Sequence, residues 1–161
     1  MSTNYSTDVK KLAIYTVEGP KIEVKAMFNP KELGVDKSVP WTKEKNSKGD
    51  QPDLEFSSAE GRSMSFELLF DTYEEGGNVH TKYVADLVKM AMVMEPEGPE
   101  DKRRPPKVGV KWANGALPEF LGVVESVGTK YTMFLPDGTP CRATCTLKVK
   151  EASRLSFKKG T

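Results

Sequence analysis

One stretch near the C-terminus constrains this chain more than any other. In "PCRATCTLKVK" (140–150), Cys141, Ala143, Cys145, Leu147 and Val149 alternate with Arg142, Thr144, Thr146, Lys148 and Lys150. A period of two puts the first set on one face of a β-strand and the second on the other. One face is apolar; the other is polar and basic. The residues just before supply a return. In "PDG" (136–138) proline presets φ, aspartate bonds its own backbone and glycine takes positive φ. "YTMFL" and "CRATC" therefore read as the two arms of a hairpin.

This geometry also bears on the two cysteines. At ~3.3 Å per residue, positions 141 and 145 of a strand lie about 13 Å apart. A disulfide needs Cα atoms within roughly 7 Å. The two cannot bond to each other, and their shared apolar face makes them small buried hydrophobes. A bridge to another subunit has nothing in the sequence to support it.

Upstream, the same alternation recurs. "VKKLAIYT" (9–16) and "KIEVKAMF" (21–28) read as a hairpin around "EGP", with Ile22, Val24, Ala26 and Phe28 on the buried face. "LEF" (54–56) and "SMSFELLF" (63–70) read as the next strand pair, with Met64, Phe66 and Leu68 facing inward. "KVGVKW" (107–112) is another strand, and "EFLGVVESVGTKYTMFL" (119–135) supplies two, broken near Gly128. Only "NVHTKYVADLVKMAMVM" (78–94) changes period. Val79, Tyr83, Leu87, Met90, Ala91 and Met94 recur at spacings of three and four, with Asn78 as N-cap, which predicts one amphipathic helix. Val84, Val88 and Met92 widen its apolar face.

Residues 29–53 are a long polar connection rich in proline and glycine, anchored by Leu33, Val35, Val39 and Trp41. Connections of this length are functional or disordered. Trp41 either docks on a partner or folds back on its own core. The total is seven or eight strands and one inserted helix: a mainly β chain whose antiparallel sheet closes, or nearly closes, into a barrel or sandwich. The 161 residues suit a single core. They divide into a polar arm (1–8), one domain (9–152) and a polar, basic tail (153–161).

Chemistry is hard to find. The one histidine, His80, has no cysteine or carboxylate at metal-ligand spacing and reads as a surface residue. There is no GxSxG, HExxH, phosphate loop or EF-hand loop. The carboxylates of "DLEF" and "DTYEEG" read as turn and edge residues. No catalytic residue, cofactor or metal is expected. The 24 Lys+Arg against 23 Asp+Glu lack the footprint of a nucleic-acid binder, and the basic cluster "DKRRPPK" (101–107) reads as a solvated loop. No run is long and apolar enough to span a membrane, and the N-terminus has no apolar signal region. Synthesis and assembly in the cytoplasm are expected.

Five motifs taken in order carry a resemblance: "MFNPKEL" (27–33), "LEF" (54–56), "ELLFDTYEEG" (67–76), "RRPPKVGVKW" (103–112) and "GVVESVGTKYTMFLPDGTPCRA" (122–143). Together they resemble the conserved domain of contractile injection system tube and hub proteins. These belong to phage-tail-like particles such as antifeeding prophages and Photorhabdus virulence cassettes. The resemblance implies a structural protein with a phage-tail-tube-like β-barrel, in which strands of neighbouring subunits continue one sheet around a lumen. It implies a homo-hexameric ring between the spike or hub and the inner tube, initiating tube assembly, with baseplate proteins as further partners and release in a particle. Close relatives continue into a LysM-type domain; this chain stops at Thr161, so no LysM function is carried over. On this reading Phe28, Asn29, Pro30, Leu33 and Trp41 are candidate assembly-interface residues. Arg142, Thr144, Thr146, Lys148 and Lys150 are candidates for the lumen face. The competing classes are a carbohydrate- or cell-surface-binding β-barrel module, which would show exposed aromatic rows, and a small carboxylate hydrolase, which lacks a convincing pair.

Overall fold

The computed structural model describes residues 10–46, 48–112, 115–153 and 155; the expected arm and most of the expected tail lie outside the described residues. Within them the chain is mainly antiparallel β with one short helix, as the alternation predicts. The strands are β1 (Leu12–Thr16), β2 (Glu23–Lys25), β3 (Leu33–Asp36), β4 (Trp41–Lys43), β5 (Leu54–Phe56), β6 (Ser63–Asp71), β7 (Val108–Trp112), β8 (Phe120–Phe134) and β9 (Pro140–Glu151). Seven form one sheet in the order β2-β1-β7-β8-β9-β6-β3, and β4 and β5 form a separate ribbon.

The period-two strands build the core. Cys141, Ala143, Cys145, Leu147 and Val149 are all fully buried, and Met64, Phe66, Leu68 and Phe70 of β6 face them. Both thiols are free. Burying each large side chain of this set is worth about 1.5–3 kcal/mol. Leu12 and Ile14 of β1 belong to the same cluster as Phe66 and Phe70 of β6, although the two strands are far apart in sheet order. The sheet must therefore curl over itself. The chain just past β2 confirms this, because Met27 Sδ, two residues beyond Lys25, accepts the Asp71 N–H of β6 at 3.3 Å. Among the described residues no ladder joins β2 to β3, so the sheet they form is curled like a barrel but not hydrogen-bonded shut.

The β8–β9 hairpin is the spine. Its turn has the expected chemistry: Thr139 N–H donates to Asp137 Oδ1 at 2.9 Å, and Gly138 takes φ +93°. That N–H holds the Asp137 carboxyl below its ordinary range. Instead of two strands broken near Gly128, β8 is one fifteen-residue strand. The irregularities are register shifts between Val124 and Ser126, between Tyr131 and Met133, and between Met133 and Phe134. Such bulges bend a strand without ending it, and a Cβ on Gly128 would meet nothing closer than 3.9 Å. Gly122 is different: a Cβ there would lie 1.9 Å from the Lys150 carbonyl oxygen, so only glycine permits the approach of β9.

The other departures are local. Residues 29–53 contain β3 and β4 rather than a bare connection. β5 pairs with β4, not with β6. Phe28 is exposed, and Met27 packs on the core in its place, because β2 ends at Lys25 and the alternation lapses. The helix is shorter than its apolar stripe. It opens with a π turn (His80–Val84) and continues as α1 (Ala85–Lys89). Asn78 Oδ1 accepts the His80 N–H at 2.9 Å, the capping role expected of it. Val79, Val84, Leu87 and Met90 are buried against the sheet, and the Tyr83 ring stacks on Phe70 at 4.5 Å.

The helix stops early because the following chain bonds elsewhere. Met94 N–H donates to the Arg104 carbonyl and Glu95 N–H to that of Lys102. That hairpin is pinned to the end of β1. Glu18 accepts from Arg104 Nη1, from Arg104 Nη2 at 3.2 Å, and from the Lys107 N–H at 2.9 Å. Chiefly through Arg104, the Glu18 carboxyl is lowered to about 2. Arg104 in "DKRRPPK" is thus a fastening residue, not part of a solvated loop.

Candidate assembly interface

The polar face of β9 continues across its neighbours. Register places Arg142 opposite Asp71, Thr144 opposite Leu69, Thr146 opposite Glu67, Lys148 opposite Ser65 and Lys150 opposite Ser63. On the other side, Lys130 lies opposite Thr144 and Ser126 opposite Lys148. Arg142 donates to Asp71 Oδ2 from Nε at 3.0 Å and from Nη2 at 2.9 Å. The Tyr73 N–H, and then Arg142, hold the Asp71 carboxyl below its usual range. Lys148 sits 3.9 Å from Glu125, and both are half exposed, an ion pair of little energetic weight. The five candidate lumen residues therefore share one face of one layer, mixed in charge and open to solvent to differing degrees.

That layer is four strands wide: β3, β6, β9 and the outer half of β8. β7 pairs with β8 only over Phe120–Gly122. Among the described residues, Ser126–Phe134 of β8 has a ladder partner on the β9 side alone, and β3 on the β6 side alone. Both margins of the layer thus present backbone donors and acceptors available to another strand.

The segment 27–33 runs as a strap from β2 to β3. Asn29 holds it in place. Its Oδ1 accepts the Leu12 N–H at 3.0 Å and its Nδ2 donates to the Lys10 carbonyl at 2.9 Å, a side-chain extension of the β1 ladder. Leu33 rests against the core. Phe28 and Pro30 face a groove of about 720 Å³ between the strap and the polar layer, floored by Leu69, Thr144 and Thr146. Of the expected interface residues, the structure joins Phe28, Asn29, Pro30 and Leu33 in this strap and separates Trp41 from them.

Trp41 stands on the ribbon. All six residues of β4 and β5 are exposed. Trp41 lies opposite Phe56, with ring centroids 5.4 Å apart, and Lys43 lies opposite Leu54. These four share one face; Thr42 and Glu55 occupy the other. Trp41, Leu54 and Phe56 are each more than half exposed. Sequence alone does not single out Phe56, Leu54, Lys43, Glu67 or Leu69 as interface residues; the apolar "L-x-F" spacing is a signal for Leu54 and Phe56 only. His80, read as a surface residue, is exposed and lies 2.5 Å from Tyr131 Oη through Nδ1.

Among the described residues no three His, Cys, Asp or Glu side chains form a group able to hold a metal, and no helix is long and apolar enough to cross a membrane. What the geometry offers is surface for association: two free edges, a polar face and an apolar ribbon. Comparison with known families decides the kind of protein. Residues 8–159 match the family described as contractile injection system tube protein. The chain belongs to that family.

This tube-family protein is a structural component of a tail-like particle. None of the curated proteins compared with it matches. A solved structure similar to it is the tail of an empty GTA particle with C6 symmetry, at 12% identity and a TM-score of 0.39, covering 92% of this chain and 96% of that one. A likeness that shallow adds no argument to the family match.

Proposed function

We propose that copies of this chain join edge to edge, β3 of one against the outer half of β8 of the next, and close into a ring that is part of the wall of an injection-system tube. The observation that carries this reading is the four-stranded layer with both margins unpaired. Two different edges on one molecule make a heterologous contact, which closes into a ring when the rotation between copies permits. Strand addition at an exposed edge supplies the hydrogen bonds and adjoining side chains the specificity. The polar face bearing Arg142, Thr144, Thr146, Lys148 and Lys150 then lines the lumen, and the helix lies on the far side of the core. The strap (Phe28, Asn29, Pro30, Leu33) and the ribbon bearing Trp41 meet neighbouring subunits or rings.

The finer role is that of an adaptor. The ring, of six copies as the resemblance implies, joins the spike or hub to the inner tube and initiates its assembly, in contact with baseplate proteins. It assembles inside the bacterial cell and leaves as part of the particle, without catalysis. Electron microscopy of the purified protein, alone and mixed with spike and inner-tube proteins, tests this. Six-fold rings, and density between spike and tube in the mixture, are the expected result. A monomer that ignores both partners and binds glycans instead would replace this reading with the cell-surface one.

A further inference from the structure

The ribbon and the groove are complementary, and within one chain they do not meet. The ribbon face carries Trp41, Phe56 and Leu54 with one cation, Lys43. The groove carries apolar Phe28, Pro30 and Leu69 with the carboxylates of Glu32 and Glu67; Lys31 also borders it. Phe28 and Leu69 are well exposed, as are the ribbon aromatics, so neither surface is satisfied by its own chain. Lys43, Glu32 and Glu67 have no salt-bridge partner among the described residues. An apolar ribbon face with a cation at one corner thus complements an apolar groove with acidic groups, the sign arrangement that favours correct docking.

Their placement adds direction. The ribbon leaves the sheet at the end where Asp36 pairs with Ser63, since β3 leads into it and the chain returns from it to β6. The groove lies towards the other end, along Ser65–Leu69 and the strap that enters Leu33. The six steps along β6 from Ser63 to Leu69 span about 20 Å at ~3.3 Å per residue. A shift of one copy along the strand direction carries its ribbon towards the groove of the next. Donor and acceptor surfaces differ, so the contact is heterologous, and a copy displaced along the strand direction repeats it as an open stack.

We infer that the Trp41–Phe56 face of the ribbon seats in the Phe28–Leu69 groove of a second copy in the adjoining layer, with Lys43 paired to Glu67 or Glu32. This deepens the ring reading and rests on it. The seated ribbon covers Thr144 and Thr146 and leaves Lys148 and Lys150 open, so stacking narrows the luminal set.

Intermolecular cross-linking of the full chain tests it. A Lys43→Cys copy and a Glu67→Cys copy are mixed under mild oxidation. Lys43→Cys with Lys89→Cys, on the exposed side of the helix, is the control. The native cysteines are buried and free. The expected result is a covalent dimer for 43 with 67 and none for 43 with 89. Lys43→Glu alone should abolish stacking of rings in micrographs, and adding Glu32→Lys and Glu67→Lys should restore it. Rings that form while 43 and 67 link no better than the control overturn the groove assignment and leave the ring reading standing. A protein that forms no rings overturns the ring reading, and the groove assignment falls with it.

Discussion

Two antiparallel strand pairs in this molecule have opposite fates. In β8–β9, every second side chain of β9 is fully buried, and the pair is held on further sides by β6 and β7. In β4–β5, every residue is exposed, and the pair is held by one aromatic contact, three ladder positions, the Thr42 hydroxyl donating to the Glu55 carbonyl at 3.1 Å and the Glu44 N–H donating to the Asp53 carbonyl at 2.9 Å. An isolated two-stranded ribbon is marginal in water. The first pair is completed by its own chain. The second exposes apolar side chains that a monomer has no means to cover. The difference separates what this sequence uses to fold from what it uses to assemble.

Substitutions should divide along the same line. The largest loss is expected in the spine. Leu147→Ala, at a fully buried site, should lower unfolding free energy by about 3–4 kcal/mol in denaturant titration. Gly122→Ala should cost about 3 kcal/mol, because the new methyl group must push back the β9 backbone. If either protein melts like the parent, the tight β8–β9 packing is wrong.

The Glu18 fastening comes next. Its carboxyl falls from an ordinary value near 4.5 to about 2 in the folded chain. A depressed folded value means the stabilisation is complete above about 4.5 and fades as pH drops towards 2. Allowing for its partial exposure, it contributes about 2 kcal/mol. Glu18→Gln should remove that much at neutral pH and flatten the stability curve between pH 4.5 and 2. An unchanged acid limb would show that the bracket does not hold the 94–107 loop.

The smallest effect on folding is expected in the ribbon. Trp41→Ala or Phe56→Ala should change monomer stability by no more than about 0.5 kcal/mol. Sedimentation should nevertheless show a clear loss of association between copies, since an exposed aromatic anchor acts at interfaces. Equal sedimentation of parent and variant would erase the contrast between the two strand pairs.

The parts legible from sequence are those where burial alternates strictly. Cys141 to Val149 and Met64 to Phe70 point into one core, and their period shows it. The cysteine geometry followed from the same alternation. β3 and β4 were hidden because their burial does not alternate: Val35 is nearly half exposed and Trp41 more so. A strand whose apolar residues await a partner looks like a loop with anchors. Gly128 looked like a break because glycine weakens strands in general; here the ladder to Thr146 simply continues through it. The apolar stripe to Met94 overruns the helix because the Arg104 and Lys102 carbonyls, across the hairpin that follows, capture the Met94 and Glu95 amides. The interface residues were only partly visible. Asn29 was named for assembly, yet its side chain is committed to Leu12 and Lys10. The groove carboxylate of Glu67 gave no signal of its own, because only the fold sets it beside the strap.

The claim at the centre is that the outer edges of β3 and β8 are completed by neighbouring copies. Amide hydrogen exchange on dispersed and assembled protein reads those edges directly. The account predicts that the outward-pointing amides of 33–36 and 126–134 exchange freely in dispersed protein and become strongly protected on assembly, together with ribbon amides 41–43 and 54–56. Assembled particles in which those edge amides exchange as fast as in the monomer would contradict it.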